Sequence, residues 1–302
     1  MNRWIKYPAL GVFAAVLCAG VALVTVLQIG ERKLQRHVAV DVPEVPLPTS
    51  PAGIERGRYL FMSRGCAGCH GAGGAGKDVI NNGKGMLVHA PNITQGTGGV
   101  VAAYRAIDWV HTIRHGVKPD GRPLMVMPSE DYNRLTDADL AALVAYVRQL
   151  PATEGPGSTV QFPMLVRVLY GLGVVRDAAE KIDHTRPPST PVTEAATAEH
   201  GAYVVNACIG CHGASLSGGK IPGTPPDWPP AANLTSAEDN AMARYADAQA
   251  FAAMLRTGKR PDGSEVSKVM PFGMLKELND TDVQAIYLHL KKLPPVATGV
   301  GH

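Results

Sequence analysis

The chain writes one pattern twice, and that duplication limits its folding choices more than any other feature of its 302 residues. Gly57-Arg58-Tyr59 precedes Cys66-Ala67-Gly68-Cys69-His70, and Gly201-Ala202-Tyr203 precedes Cys208-Ile209-Gly210-Cys211-His212. Further on, Ala90-Pro91-Asn92-Ile93-Thr94 matches Ala231-Ala232-Asn233-Leu234-Thr235. Pro119-Asp120-Gly121 matches Pro261-Asp262-Gly263, and Met127-Pro128 matches Met270-Pro271. The offset of about 142 residues is too long for a solenoid repeat, which runs to about 20–50 residues. It fits a whole domain present in two copies, as the chain length also allows.

The paired cysteines narrow the chemistry. A zinc ribbon needs its second Cys pair about 15–20 residues from the first. Cys69 and Cys208 are 139 apart. A thioredoxin-like pair sits near a βαβ pattern, which the chain lacks, and two structural disulfides would leave His70 and His212 unexplained. Cys-x-x-Cys-His is the attachment pattern of c-type haem. The two thiols add to the vinyl groups along one porphyrin edge, and the adjacent His is placed to give iron its fifth ligand. Two motifs therefore predict two covalently bound haem c groups, on Cys66, Cys69 and His70 and on Cys208, Cys211 and His212.

A Met thioether opposite His would complete each iron and raise its potential. Met127 follows His70 by 57 residues and Met270 follows His212 by 58. Each precedes Pro and trails a Pro-Asp-Gly turn. Met125 and Met274 lack a partner in the other copy. So do His89, His111 and His115, which are expected at the surface or in supporting positions, as is His289. A ligating His usually donates its second ring N–H to a carbonyl. The carbonyls of Pro91 and Ala232 are the expected acceptors, with Ile93 and Leu234 packing on the haem. Trp109 and Phe251 are expected core aromatics.

The local signals are helical. Tyr104, Ile107, Val110 and Ile113 fall at helical spacing over 101–115. Thr136 with Asp139 and Asn279 with Asp282 read as N-caps, and Leu135 and Leu278 as staples to Leu140 and Val283. These last helices stop before Pro151 and Pro294. No long alternating strand pattern is present, so sheet content should be low.

The N-terminus adds a segment of another kind. Pro8 to Ile29 is 22 uncharged residues, roughly 33 Å of helix, enough for a bilayer core. A cleaved signal peptide usually has a shorter apolar region of about 7–15 residues and a small-residue cleavage site, so an uncleaved anchor is expected. Cys18, preceded by Leu17, reads as a buried thiol within it. Prolines 43, 46, 48 and 51 mark a stiff spacer. A second connection includes the apolar stretch from Phe162 to Val175. That stretch is expected to cover a domain face, with the membrane surface as the other reading. The first 37 residues hold five basic side chains and one acidic, leaving 24 and 25 in the remainder. That balance gives no basic surface for nucleic acid.

These motifs resemble the class I cytochrome c family over 53–151 and 196–294. The chain is similar more narrowly to the multihaem cytochrome subunits of membrane-bound bacterial alcohol and gluconate dehydrogenases, with Phe162-Pro163 and Arg167 adding to the likeness. Those subunits carry three haem motifs and attach near the C-terminus, whereas this chain shows two and an N-terminal apolar run. The resemblance implies an all-α protein of two tandem cytochrome c domains with an N-terminal transmembrane helix. The expected divisions are an anchor at 1–30, a spacer at 31–52, domain 1 at 53–151, a connector at 152–195, domain 2 at 196–294 and a tail at 295–302. Haem attachment outside the cytoplasm implies an inner-membrane anchor with both domains in the periplasm. The expected function is single-electron transfer in a respiratory chain, between a dehydrogenase or quinol-oxidising donor and a terminal acceptor. The alternative is a dihaem enzyme such as a peroxidase or thiosulfate dehydrogenase. A haem-based sensor is a third reading, for which the chain offers no signalling domain.

Overall fold

The computed structural model describes residues 3–301 apart from 84, 223, 225, 226 and 239, with side chains described from Leu10 onward. Helix α1 (Arg3–Gln35) comes first. The first repeat contains α2 (Pro51–Ser63), α3 (Cys66–His70), α4 (Ala106–His115), α5 (Ser129–Tyr132) and α6 (Asp137–Val147). The connector contains α7 (Met164–Gly171). The second repeat has the same series as α8 (Ala198–Val204), α9 (Ile209–His212), α10 (Ala248–Thr257), α11 (Phe272–Leu275) and α12 (Asp280–Leu290).

Each repeat is built on a close crossing of its first and last helices, α2 on α6 and α8 on α12. The crossing needs a residue without a side chain. A Cβ on Gly57 would lie 2.0 Å from the carbonyl oxygen of Ala142, and one on Gly201 would lie 2.0 Å from that of Ala285. Leu60, Phe61, Leu140 and Val144 fill the first core, and Val204, Leu255, Val283 and Ile286 the second. Trp109 is buried with its ring edge-on to Tyr104 at 5.1 Å, and Phe251 meets Tyr245 in the same way at 5.5 Å. The last helices start as the sequence suggests: Thr136 accepts from the Asp139 amide at 3.0 Å and Asn279 from the Asp282 amide at 2.7 Å.

Helix α4 is shorter than its apolar spacing implies. It starts at Ala106 rather than 101, because the Asp108 carboxylate accepts from the Arg105 backbone N–H at 2.8 Å and closes the first turn there. The fold is mostly helical but not wholly so. Strands β1 (Lys77–Asn81), β2 (Leu87–Ala90) and β3 (Thr159–Gln161) form an antiparallel sheet in the order β1-β2-β3. They have three to five residues each, too few to display alternation, and β3 comes from the connector.

Helix α1 is long and apolar enough to cross a membrane by length and composition. Its most apolar window has a mean hydropathy of 2.6 and no buried residue. The proline-rich stretch after it lies along the first repeat instead of holding it at a distance. Val38 donates to the Gly121 carbonyl at 2.9 Å, Val45 is buried, and Val42 and Leu47 pack on the same core. The apolar connector segment departs from the expectation that it covers a repeat: α7 packs on α1 and leaves Met164, Leu165 and Leu172 exposed.

Candidate functional site

Both Cys-x-x-Cys-His segments fold as single helical turns closed by glycine at positive φ, Gly71 at 77° and Gly213 at 76°. Residue 76 or 218 then returns an N–H to the histidine carbonyl, Gly76 to His70 at 2.8 Å and Gly218 to His212 at 2.9 Å. The imidazoles are oriented identically. Nδ1 of His70 is 2.9 Å from the Pro91 carbonyl oxygen, and Nδ1 of His212 is 2.8 Å from that of Ala232. Burial pushes the His70 pKa down against the opposing pull of that carbonyl, which favours the neutral ring that a metal requires.

The loops that present these carbonyls are fixed by residues to which the sequence reading gave no role. Asn92 Oδ1 accepts from the Thr94 amide at 2.9 Å and hydroxyl at 2.8 Å, while its Nδ2 donates to the Thr153 carbonyl at 2.7 Å. Asn233 accepts from Thr235 at 2.9 and 2.7 Å and donates to the Val296 carbonyl at 2.9 Å. All four side chains are buried. Their signal was already visible, since Asn-x-Thr survives in both copies. Each is a local turn tied to the segment after the last helix.

One cysteine of each motif packs on the core, while Cys69 is half-buried and Cys211 exposed. Cys66, Ile93 and Met127 pack against the first cluster, and Cys208, Leu234 and Met270 against the second. None of the five cysteines is in a disulfide. Burial pushes the Cys66 and Cys208 thiols up to about 12, so neither is a ready thiolate for redox exchange or zinc. A thioether is neutral too and suits the same burial. Among the described residues no cluster of three or more His, Cys, Asp or Glu could hold a metal ion on its own. A carbonyl-oriented imidazole, a Cys-x-x-Cys pair and a Met packed on the same core as the first cysteine of that pair are side chains that could hold an iron porphyrin covalently. The residues fit that group.

Of the rivals, Met274 packs against the second cluster as Met270 does. Met274 Sδ is 3.0 Å from the point a Cβ on Gly65 would occupy, in the opposite repeat. His115 is not at the surface: it is 1% exposed, with Nδ1 3.1 Å from Nδ1 of His184. His89 pairs with Asp78 at 2.7 Å.

The two attachment segments face one interface between the repeats, and its contacts are reciprocal. Tyr59 of the first repeat donates to Asp282 of α12 at 2.6 Å and accepts from the Asn279 amide at 3.3 Å. Tyr203 of the second donates to Asp139 of α6 at 2.7 Å and accepts from the Thr136 amide at 3.3 Å. Arg64, two residues before Cys66, is buried and bonds Asp282 at 2.9 Å. Burial raises the Asp282 and Asp139 carboxyls, but Arg64 with the Tyr59 and His200 hydrogen bonds on one, and Arg56 with the Tyr203 hydrogen bond on the other, together outweigh it and hold both below the usual range. Asp131 of α5 lies against the second motif, its Oδ1 2.7 Å from where a Cβ on Gly210 would be. Burial, with Glu130 beside it, pushes Asp131 up to about 7.

Comparison with known proteins agrees with this geometry. The family described as cytochrome c matches residues 54–151 and 198–294. The chain is 28% identical over 286 residues to the fructose dehydrogenase cytochrome subunit of Gluconobacter japonicus, covering 84% of this chain and 56% of that one. It is 26% identical over 318 residues to a diheme cytochrome c-type protein of Cereibacter sphaeroides, covering 93% and 98%. The cytochrome c subunit of the quinone alcohol dehydrogenase of Gluconacetobacter polyoxogenes is 25% identical, over 82% of this chain and 58% of that one. The chain thus spans a little over half the length of the two dehydrogenase subunits. Two matched regions with the same internal geometry, each of a type that carries covalently bound haem c, place this chain in the cytochrome c family.

Proposed function

We propose that the chain is a membrane-anchored dihaem electron carrier, with one haem c on Cys66 and Cys69 and another on Cys208 and Cys211. His70 with Met127 and His212 with Met270 would supply the axial pairs. Pro91 and Ala232 orient the histidines through their carbonyls, and Ile93 and Leu234 provide apolar contact. The observation that carries the reading is the identical histidine-to-carbonyl geometry at the same offset in both repeats.

The bound group supplies one-electron chemistry at iron. The protein's part is orientation and electrostatics. The carbonyls occupy each Nδ1, so Nε2 would be the nitrogen left to hold iron. The cores shelter one sulfur of each motif, Cys66 and Cys208. Arg64 and Asp282 hold one repeat against the other, so the two attachment segments stay at a fixed separation. With Met127 and Met270 as second ligands, neither iron would keep the open or exchangeable position that a dihaem peroxidase or thiosulfate dehydrogenase needs, which favours a carrier.

The proposed setting is the inner membrane, with α1 as anchor at 1–30 and both repeats in the periplasm. Electrons would come from a dehydrogenase or quinol-oxidising complex and pass to a terminal acceptor of the respiratory chain. The fructose and alcohol dehydrogenase subunits among the relatives favour the first kind of donor. Intact-mass measurement on natively matured protein tests the cofactor: two added macrocycles are expected, and apoprotein mass alone overturns the proposal. A persistent high-spin ferric signal would favour the enzyme instead.

A further inference from the structure

The connector leaves an apolar face in solvent where a covering segment would bury it. Met164, Leu165, Leu172 and Val174 are 53%, 67%, 59% and 66% exposed. The opposite face of α7 is used up on α1. A Cβ on Gly171 would meet the Val26 carbonyl oxygen at 2.2 Å, and one on Gly30 would touch the Gly171 Cα and the Arg167 carbonyl at 3.5 Å. The two helices therefore meet where the uncharged run of α1 ends. Residues 10–29 span roughly 30 Å of helix, the thickness of a bilayer core. If α1 crosses the membrane, α7 is held at the height of the headgroup boundary.

A polar clamp keeps it there. The Arg36 guanidinium donates to both carboxylate oxygens of Asp177, at 2.6 and 2.9 Å, and Asp177 is fully buried. Tyr170 donates to the same carboxylate at 2.7 Å. Lys33 pairs with Glu180 at 3.0 Å and reaches the Tyr170 carbonyl at 3.3 Å. Burial raises the Asp177 carboxyl, but the hydrogen bonds from Arg36 and Tyr170 outweigh it and hold it below the usual range. The charge pattern matches a membrane surface. Residues 164–176 include Arg167 and Arg176, both exposed, and no acidic residue. Arg32, just past the apolar run, is exposed too. Basic side chains beside an apolar face are the composition of an interfacial segment that sinks about 5–10 Å into the headgroup–acyl boundary.

We propose that residues 164–176 lie in the lipid headgroup–acyl boundary beside α1, with Met164, Leu165, Leu172 and Val174 among the acyl chains and Arg167 and Arg176 at lipid phosphates. This rests on reading α1 as the anchor. The chosen occupant is lipid because the exposed face is continuous with the exposed apolar surface of α1 and carries Arg167 and Arg176 with no acid of its own, Glu31 being the exposed acid at the end of the α1 run. The consequence is a second membrane contact that fixes the tilt of the repeats over the bilayer, where a single helix on a flexible tether would let them swing.

The test uses full-length, haem-loaded protein in vesicles of phosphatidylethanolamine and phosphatidylglycerol. In a Cys18→Ser background, nitroxide labels are placed at Leu165→Cys or Leu172→Cys, at Val16→Cys in α1, and at Ala253→Cys on the exposed surface of the second repeat. Electron paramagnetic resonance on the reduced protein compares collision with oxygen and with a water-soluble nickel chelate. Labels at 165 and 172 should resemble the label at 16, favouring oxygen several-fold, while 253 favours nickel. If 16 is lipid-like but 165 and 172 favour nickel, the interfacial proposal fails and the anchor stands. Shielding of 165 and 172 from both reagents would mean a second copy or another protein surface covers them, which also overturns it. Nickel access at all four positions would defeat the anchor and the proposal together.

Discussion

At the residue scale, the proposed iron ligands and their supports make separable predictions. Met127→Ala or Met270→Ala should open one iron. Carbon monoxide binding to the reduced protein should then gain a fast phase equal to half the haem, and that haem's potential should fall. No added phase in either variant would show that the sixth ligand lies elsewhere. Asn92→Ala removes the acceptor for two donors of Thr94 and the donor to Thr153. Buried polar groups left unpaired cost about 1–3 kcal/mol, so the first repeat should melt earlier while the second is unaffected. His115 predicts a pH dependence. Burial first, then His184, Arg114 and His111, push its pKa down to about 4. The unfolded chain therefore binds a proton that the folded chain refuses, in the window from about 6.5 down to about 4. Stability is complete above that window and falls as the pH drops through it. His115→Thr, with the residue the second repeat has at this position, Thr257, should flatten the slope in denaturant melts between pH 7 and 5.

At the element scale, each repeat depends on how closely its first and last helices cross. Gly57→Ala would place a methyl group 2.0 Å from the Ala142 carbonyl, and Gly201→Ala would do the same against Ala285. Backbone cannot yield as a flexible side chain can, so the helices must separate, at a cost of about 1–3 kcal/mol or more. Thermal melts should show each substitution lowering one transition, while Gly73→Ala, with nothing within 4 Å, leaves both unchanged. The glycines were legible as part of the repeated pattern. Their reason was not, because it depends on a carbonyl 85 or 84 residues further along the chain. The two motif glycines make the same point. Gly68 has open space around it, while a side chain on Gly210 would collide with Asp131 of the other repeat.

At the scale of the whole molecule, the repeats join through reciprocal tyrosines. Each hydroxyl donates to a buried carboxylate at the start of the other repeat's last helix. A hydrogen bond to a charged group contributes about 1.5–3 kcal/mol. The double variant Tyr59→Phe/Tyr203→Phe should therefore loosen the interface without emptying either core. Calorimetry should resolve two unfolding transitions further apart than in the parent chain, with both haems retained. Unchanged coupling would place the interface energy in Arg64 and Asp282 instead.

The sequence alone determined what is local or periodic. The duplication, the attachment motifs, the helix caps at Thr136 and Asn279 and the apolar N-terminal run each depend on residues within one or two helical turns, or on simple repetition. It also held, unread, the Asn-x-Thr turns behind the Pro91 and Ala232 carbonyls. Only the tertiary structure decided the connector strand β3, the burial of His115 against His184, the docking of α7 on α1 and the exchange of tyrosines between repeats. Those features arise where segments far apart in the chain compete for the same buried space, and local pattern carries no record of which partner wins.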